Sequence, residues 1–244
     1  MARNNKKKKN NSSQRVKNPR EAMAYLNDGF QDYLSCRVLM NQGLSVQSAI
    51  FASTALEKYL KAIMAFKGDH AHGHLKKAHW NALKNHNKEL YSQLDESFLK
   101  LCQKAFSLRY TESLPVGFNM VIASREFLAE IDHTINLLEK SFALEKEGKL
   151  QKLRYDHALE SKDLRLYQNN HALLGKDKKE FIYSELQRVY EIRMDAGRGV
   201  VEVEYATQKE PTHLDFQRIA LASTDSTSFT MAFEQEKRES EVSS

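Results

Sequence analysis

Ala55-Leu56-Glu57-Lys58-Tyr59-Leu60-Lys61-Ala62 is the stretch whose reading decides the fold. Ala49, Ser53, Leu56, Leu60 and Ile63 recur around it at steps of three and four, so they share one face of a helix. Glu57, Lys58 and Lys61 fall off that stripe. The small residues Ala49, Ala52, Ser53 and Ala55 line part of the helix, where a neighbouring backbone can approach closely.

Working outward, Asn18-Pro19-Arg20-Glu21 offers an N-cap, a proline at the first helical position and an acid of the capping-box type. Leu26, Phe30, Tyr33 or Leu34, and Val38 continue this first helix until Gly43 stops it. Ser45 is placed to cap the second helix, which Gly68 ends. A polar, His-rich stretch follows, in which Trp80 and Leu83 suggest a short helix. Leu90, Leu94, Phe98, Leu101, Ala105 and Leu108 then hold one stripe, which predicts a single long helix. After a turn at Pro115-Val116-Gly117, a further helix is predicted with Val121, Leu128, Ile131, Ile135, Leu138 and Phe142 inward. Long amphipathic helices with short connections pack as an up-and-down bundle.

The pattern changes near residue 148. Residues 149–178 are polar and weakly periodic, which reads as a linker or irregular helix. Tyr190, Ile192 and Met194 alternate with polar neighbours, Asp195 to Gly199 makes a turn, and Val201, Val203 and Tyr205 alternate again: a hairpin. A weaker hairpin signal joins Phe216–Ala222 to Phe229–Phe233 through Thr224-Asp225-Ser226. The expected organisation is a disordered basic tail over 1–17, a helical bundle over 18–148, the linker over 149–178, a β-hairpin module over 179–236 and a frayed end over 237–244. The fold class is mainly α, an antiparallel bundle of four or five helices with a small C-terminal antiparallel β appendage.

The pI of 9.0 is a property of one end of the chain. Arg3, Lys6, Lys7, Lys8, Lys9, Arg15, Lys17 and Arg20 stand among residues 1–20 with no acid. Without those eight, 29 basic residues face 32 acidic ones, so the remainder carries a net charge of −3. A like-charge run spaced by Asn and Ser buries no apolar surface and can hold phosphates by counterion release. Lys6, Lys7, Lys8, Lys9, Arg15 and Lys17 are the candidate nucleic-acid contacts. No apolar run reaches the ~18 residues of a membrane span, and no apolar segment follows the basic end as in a secretory signal. Cys36 and Cys102 each sit among apolar helical positions, as reduced buried thiols do in a cytoplasmic protein.

The Ala55–Ala62 helix, His74-Leu75 soon after it, and Arg109-Tyr110 ending a later helix come in the order found in the HEPN family of small helical bundles. The chain resembles that family over residues 20–146, with Glu57, Lys58, Lys61, His74, Arg109 and Tyr110 as its motif positions. Thr111 stands where the family usually has proline after Arg-Tyr. The resemblance implies a homodimer in a prokaryotic setting beside nucleotidyltransferases, toxin–antitoxin pairs or anti-phage systems. No cofactor is expected.

Some members of that family are metal-independent ribonucleases with an Arg and a His separated by four to six residues. RNA supplies its own 2′-OH nucleophile, so a proton acceptor and a cation on the phosphate suffice. Arg125 and His133 occupy the right predicted helix but stand eight apart, which on an ideal helix offsets them by about 80° and about 12 Å. Arg165 and His171 have the family spacing but lie outside that helix, and about 1.4 such pairs arise by chance in a chain of this composition. Alternating His70, His72 and His74 are candidate ligands for Zn²⁺ or Ni²⁺. The expected function is therefore a dimeric interaction or nucleic-acid-associated module rather than an enzyme. The alternatives are a metal-independent endoribonuclease and a structural subunit that docks through its β appendage.

Overall fold

Two helices of 23 residues, α1 (Pro19–Asn41) and α2 (Ser45–Lys67), fold back on one another and make the most extensive contact in the molecule. The computed structural model describes residues 16–69, 73–147 and 149–207. Gly29 brings the pair together, because a Cβ there would stand 3.1 Å from the Tyr59 ring. The start of α1 departs from expectation. Asn18 bonds the Glu21 side chain and caps no backbone N–H, and its own N–H instead donates to Ala65 O at 3.3 Å. Ser45 is the first residue of α2 rather than its cap, and its hydroxyl donates to Glu202. Gly68 ends α2 at φ +83, as expected, with the Lys17 side chain lying where a Cβ would be.

The predicted short helix is α3 (Lys77–His86). The long helix predicted after it is broken into α4 (Lys88–Tyr91), α5 (Glu96–Ala105) and a 3₁₀ turn over Phe106–Arg109. Two side chains set the breaks. Asn87 accepts from Leu90 N at 2.9 Å, and Asp95 accepts from Ser97 N at 2.8 Å and Phe98 N at 2.9 Å, so each starts a new helix. All six residues of the predicted stripe are nonetheless buried in the common core.

Residues Asn119–Ala123 form a strand, β1, rather than the start of a helix, and α6 follows over Ser124–Ser141. Met120 and Ile122 face the main core while Val121 and Ala123 meet Val189 on the other face, so the strand is covered on both sides. Its partner is far away in sequence. β1 pairs antiparallel with β4 (Gln187–Asp195), Ala123 opposite Val189, and β4 pairs with β5 (Gly199–Thr207) around the expected turn. The β part is therefore no separate module. Its first strand is threaded through the helical region, and Tyr190 and Ile192 belong to the helical core.

The segment read as a linker is also built in. A short hairpin of β2 (Leu144–Lys146) and β3 (Lys149–Gln151) leads to α7 (Arg154–Glu160) and α8 (Leu164–Tyr167). Leu153, Tyr155, Ala158 and Leu166 are buried against α1 and its neighbours. Finally α9 (Lys178–Tyr183) packs Phe181 and Ile182 on Ala129 of α6. The fold is thus mainly helical with a small antiparallel sheet. The tail over 1–15 and the second predicted hairpin lie outside the described residues. Among the described residues no helix is long and apolar enough to cross a membrane.

Candidate functional site

Five of the six motif positions meet at one place. Glu57, on the second half of α2, is buried and holds Lys61 Nζ at 2.6 Å through Oε1, while its Oε2 lies 3.4 Å from His74 Nδ1. The chain beyond α2 therefore doubles back along that helix to bring His74 beside Glu57. There the His74 ring stacks on Phe106, centroids 3.9 Å apart and planes 26° apart. The Arg109 guanidinium lies 5.3 Å from the same Phe106 centroid, and the Tyr110 ring stands 6.0 Å away at 59°. The 3₁₀ turn produces this grouping, since three residues per turn put Phe106 and Arg109 on one side. Behind it, buried His79 accepts the Lys76 N–H at 3.0 Å, and burial pushes its pKa down. The sixth motif residue, Lys58, turns away to Asp32 at 2.7 Å.

The result is an exposed cluster of three rings and a guanidinium. His74, Arg109 and Tyr110 are open to solvent and Phe106 is half-buried beneath them. Ring faces beside a guanidinium suit a single-stranded nucleic acid, with a base stacked on a ring and the guanidinium on a phosphate. Phe106 is the centre of the cluster and was missed in the sequence. Its signal was available as an aromatic residue three positions before Arg109.

Among the described residues no hydrogen bond joins Arg125 to His133 or Arg165 to His171. Arg125 spends its guanidinium on Phe181 O at 2.9 and 2.5 Å, Ser184 at 3.1 Å and Glu185 at 2.6 Å, lying over the Phe181 ring. His133, two helical turns on, is within hydrogen-bond range of Gln93 O at 3.2 Å. Arg165 is exposed and paired to Asp163 at 2.6 Å, whereas His171 is buried with its ring against the edge of Phe181. Burial first, then the nearby His133 and Lys178, pushes the pKa of His171 down to about 4.

His171 is therefore neutral at pH 7, and a ring 3% exposed has no route to a phosphate. Because the folded value is depressed below the ordinary ~6.5 of an exposed imidazole, the stability it confers is complete above that value and lost as pH falls toward 4. At about 1.4 kcal/mol per pH unit of separation the loss amounts to about 3 kcal/mol. An NMR titration is expected to keep the His171 ring resonances in their neutral position down to about pH 5. A midpoint near 6.5 would overturn this placement of the ring.

Other sequence candidates resolve simply. Burial pushes the Cys36 thiol up to about 12, and Cys102 is raised for the same reason, so neither supplies a thiolate. His70 and His72 lie outside the described residues, and His74 is engaged with Glu57 and Phe106. Among the described residues no group of three or more His, Cys, Asp or Glu is arranged to hold a metal ion. Of the basic-tail residues named as contacts, only Lys17 is described, with its N–H donating to Phe66 O at 3.2 Å.

A second polar centre was not foreseen. Arg37 of α1 is fully buried and grips Asp132 of α6 through both carboxylate oxygens at 2.8 and 2.9 Å. Its remaining nitrogens donate to the carbonyls of Arg165, at 3.2 Å, and Gln168. Tyr33 adds a hydrogen bond to Asp132 at 2.7 Å, and Asn170 donates to the Tyr33 oxygen at 3.3 Å. Burial pushes the Asp132 carboxyl up to about 6 against the opposing pull of Arg37 and Tyr33. A closed network of this kind positions segments and leaves no atom for a substrate. Comparison of the chain with protein-family models, curated proteins and solved structures returns no match.

Proposed function

We propose that this chain is an HEPN-like helical bundle that acts as a dimeric, nucleic-acid-associated module in a prokaryotic toxin–antitoxin or anti-phage setting, without turnover of its own. The observation that carries the reading is the convergence of His74, Phe106, Arg109 and Tyr110 into one exposed ring-and-cation cluster. The basic tail supports it from a second side. Lys17, the last of its charges, is fixed at the C-terminal end of α2.

Fluorescence anisotropy with a labelled single-stranded RNA tests the reading. Tyr110→Ala is expected to weaken binding about 5- to 100-fold, the effect of losing one stacked base. Arg109→Ala is expected to weaken it with a salt slope lower by about one. Equal affinity in both variants and wild type would overturn the assignment of the cluster. The same incubations with EDTA are expected to show no RNA cleavage above background. Cleavage by wild type that is lost in His133→Ala or His171→Ala would move the protein to the ribonuclease reading. Light scattering for the dimer is done on the full chain, because residues 153–192 contribute to the core and a fragment ending at 148 would expose it. Docking through the sheet is the second reading, favoured by the exposed Val203 and Tyr205 on β5.

A further inference from the structure

A cavity of about 260 Å³ lies away from the ring-and-cation cluster, between the end of α6, the β2–β3 hairpin, the start of α7 and residues 172–173. Its walls are apolar over Phe142, Leu153 and Leu173, and two carboxylates, Glu139 and Asp156, open onto it. Glu139 is 6% exposed, and one of its oxygens accepts the Tyr59 hydroxyl. No hydrogen bond among the described residues engages the other. Asp156 accepts the Leu153 N–H at 2.7 Å through one oxygen only. The lining holds a single basic residue, Lys140, which is solvent-exposed and forms no ion pair with either acid among the described residues. Neither free oxygen is among the fully buried unpartnered atoms, so both stay open to a donor that enters the cavity.

We propose that this cavity is a binding site for a small organic cation, a protonated amine on a compact apolar body. The amine sits between Glu139 and Asp156 and donates to their free oxygens, while the apolar body contacts Phe142, Leu153 and Leu173. A neutral ligand of the same shape leaves the carboxylate oxygen unmet, and an anion is repelled. The site has a built-in pH response. The groups facing Glu139 are Tyr59 from α2, Tyr155 and Asp156 from α7, and Lys140 from its own helix. Burial, reinforced by Asp156 and opposed by the Tyr59 hydroxyl, pushes the Glu139 carboxyl up to about 7. A bound cation favours the ionised form, so affinity rises as pH passes upward through that value.

Titration of the full chain with benzylamine, and with benzyl alcohol as the neutral counterpart, followed by NMR of the aromatic side chains, tests this. Benzylamine is expected to bind with a Kd of about 1 mM at pH 8, in keeping with so few heavy atoms, and at least about threefold more weakly at pH 6. Benzyl alcohol is expected not to saturate. Glu139→Gln, which keeps an acceptor for Tyr59, is expected to weaken benzylamine at least about tenfold and to abolish the pH response. Should circular dichroism show that variant unfolded, Asp156→Asn is read instead, with a loss of about fivefold expected. No saturable benzylamine binding, equal binding of the alcohol, or unchanged affinity in the folded acid variant would each overturn the proposal.

Discussion

Replacing Arg37 by methionine is expected to destabilise the protein by about 3–5 kcal/mol, measured as a fall in the denaturant midpoint at constant slope. The methionine fills similar volume, so the loss comes from the groups left behind. Asp132 stays buried with only the Tyr33 hydroxyl as partner, and the carbonyls of Arg165 and Gln168 lose their donor. The size of the effect will depend on pH. In the variant nothing cationic opposes burial, so the Asp132 carboxyl rises further above the ~3.9 of an unfolded chain. A raised acid loses stability as pH climbs through its folded value, so the deficit will be larger at pH 8 than at pH 5. Pairing Arg37→Met with Asp132→Leu is expected to restore more than half of the loss, since an apolar pair in place of a buried ion pair is close to neutral. A single-variant loss below about 1 kcal/mol would mean that the pair is not buried as described.

The second large effect concerns the tail. Deleting residues 2–15 removes Arg3, Lys6, Lys7, Lys8, Lys9 and Arg15, six charges, and leaves Val16 and Lys17 in place on the core and on Gly68. With about 0.7 of a counterion released per phosphate neutralised on a single strand, the slope of log K against log salt is expected to fall by about 4. Affinity for single-stranded RNA at about 0.1 M salt is expected to drop about a hundredfold or more. On the proposed function the tail supplies most of the affinity and the cluster around Phe106 supplies stacking. The two deletions of function are therefore separable. Tail removal changes the salt slope strongly, whereas Tyr110→Ala leaves it nearly unchanged. An unaltered slope after tail deletion would place the phosphate contacts in residues 16–207, where 27 basic residues face 25 acidic ones.

Legibility followed the range of the interactions. The boundaries of α2, the short α3 and the β4–β5 hairpin were readable because each is set within a few residues, by the Gly68 stop, by a single helical face and by the Asp195–Gly199 turn. The six-residue stripe from Leu90 to Leu108 named the right core residues but not the breaks between them, because Asn87 and Asp95 each cap a helix that the stripe runs straight through. Arg37 and Asp132 were visible as opposite charges within two apolar stripes, though nothing local says that stripes 95 positions apart should meet.

By itself, then, the sequence determined the helical class of the fold, most of its buried positions and the concentration of positive charge in the first twenty residues. Each of these depends on residue type and on spacing along one element. Only the tertiary structure decided that Asn119–Ala123 is a strand, because its hydrogen bonds go to residues about seventy positions later. It also decided that 153–170 is core, because Leu153, Tyr155 and Leu166 become buried only once α1 and α6 are in place. The same holds for the cluster itself. Phe106 joins His74 to Arg109 and Tyr110 only because the chain after α2 doubles back to Glu57, a contact made by one ion pair and one ring stack that no periodicity encodes.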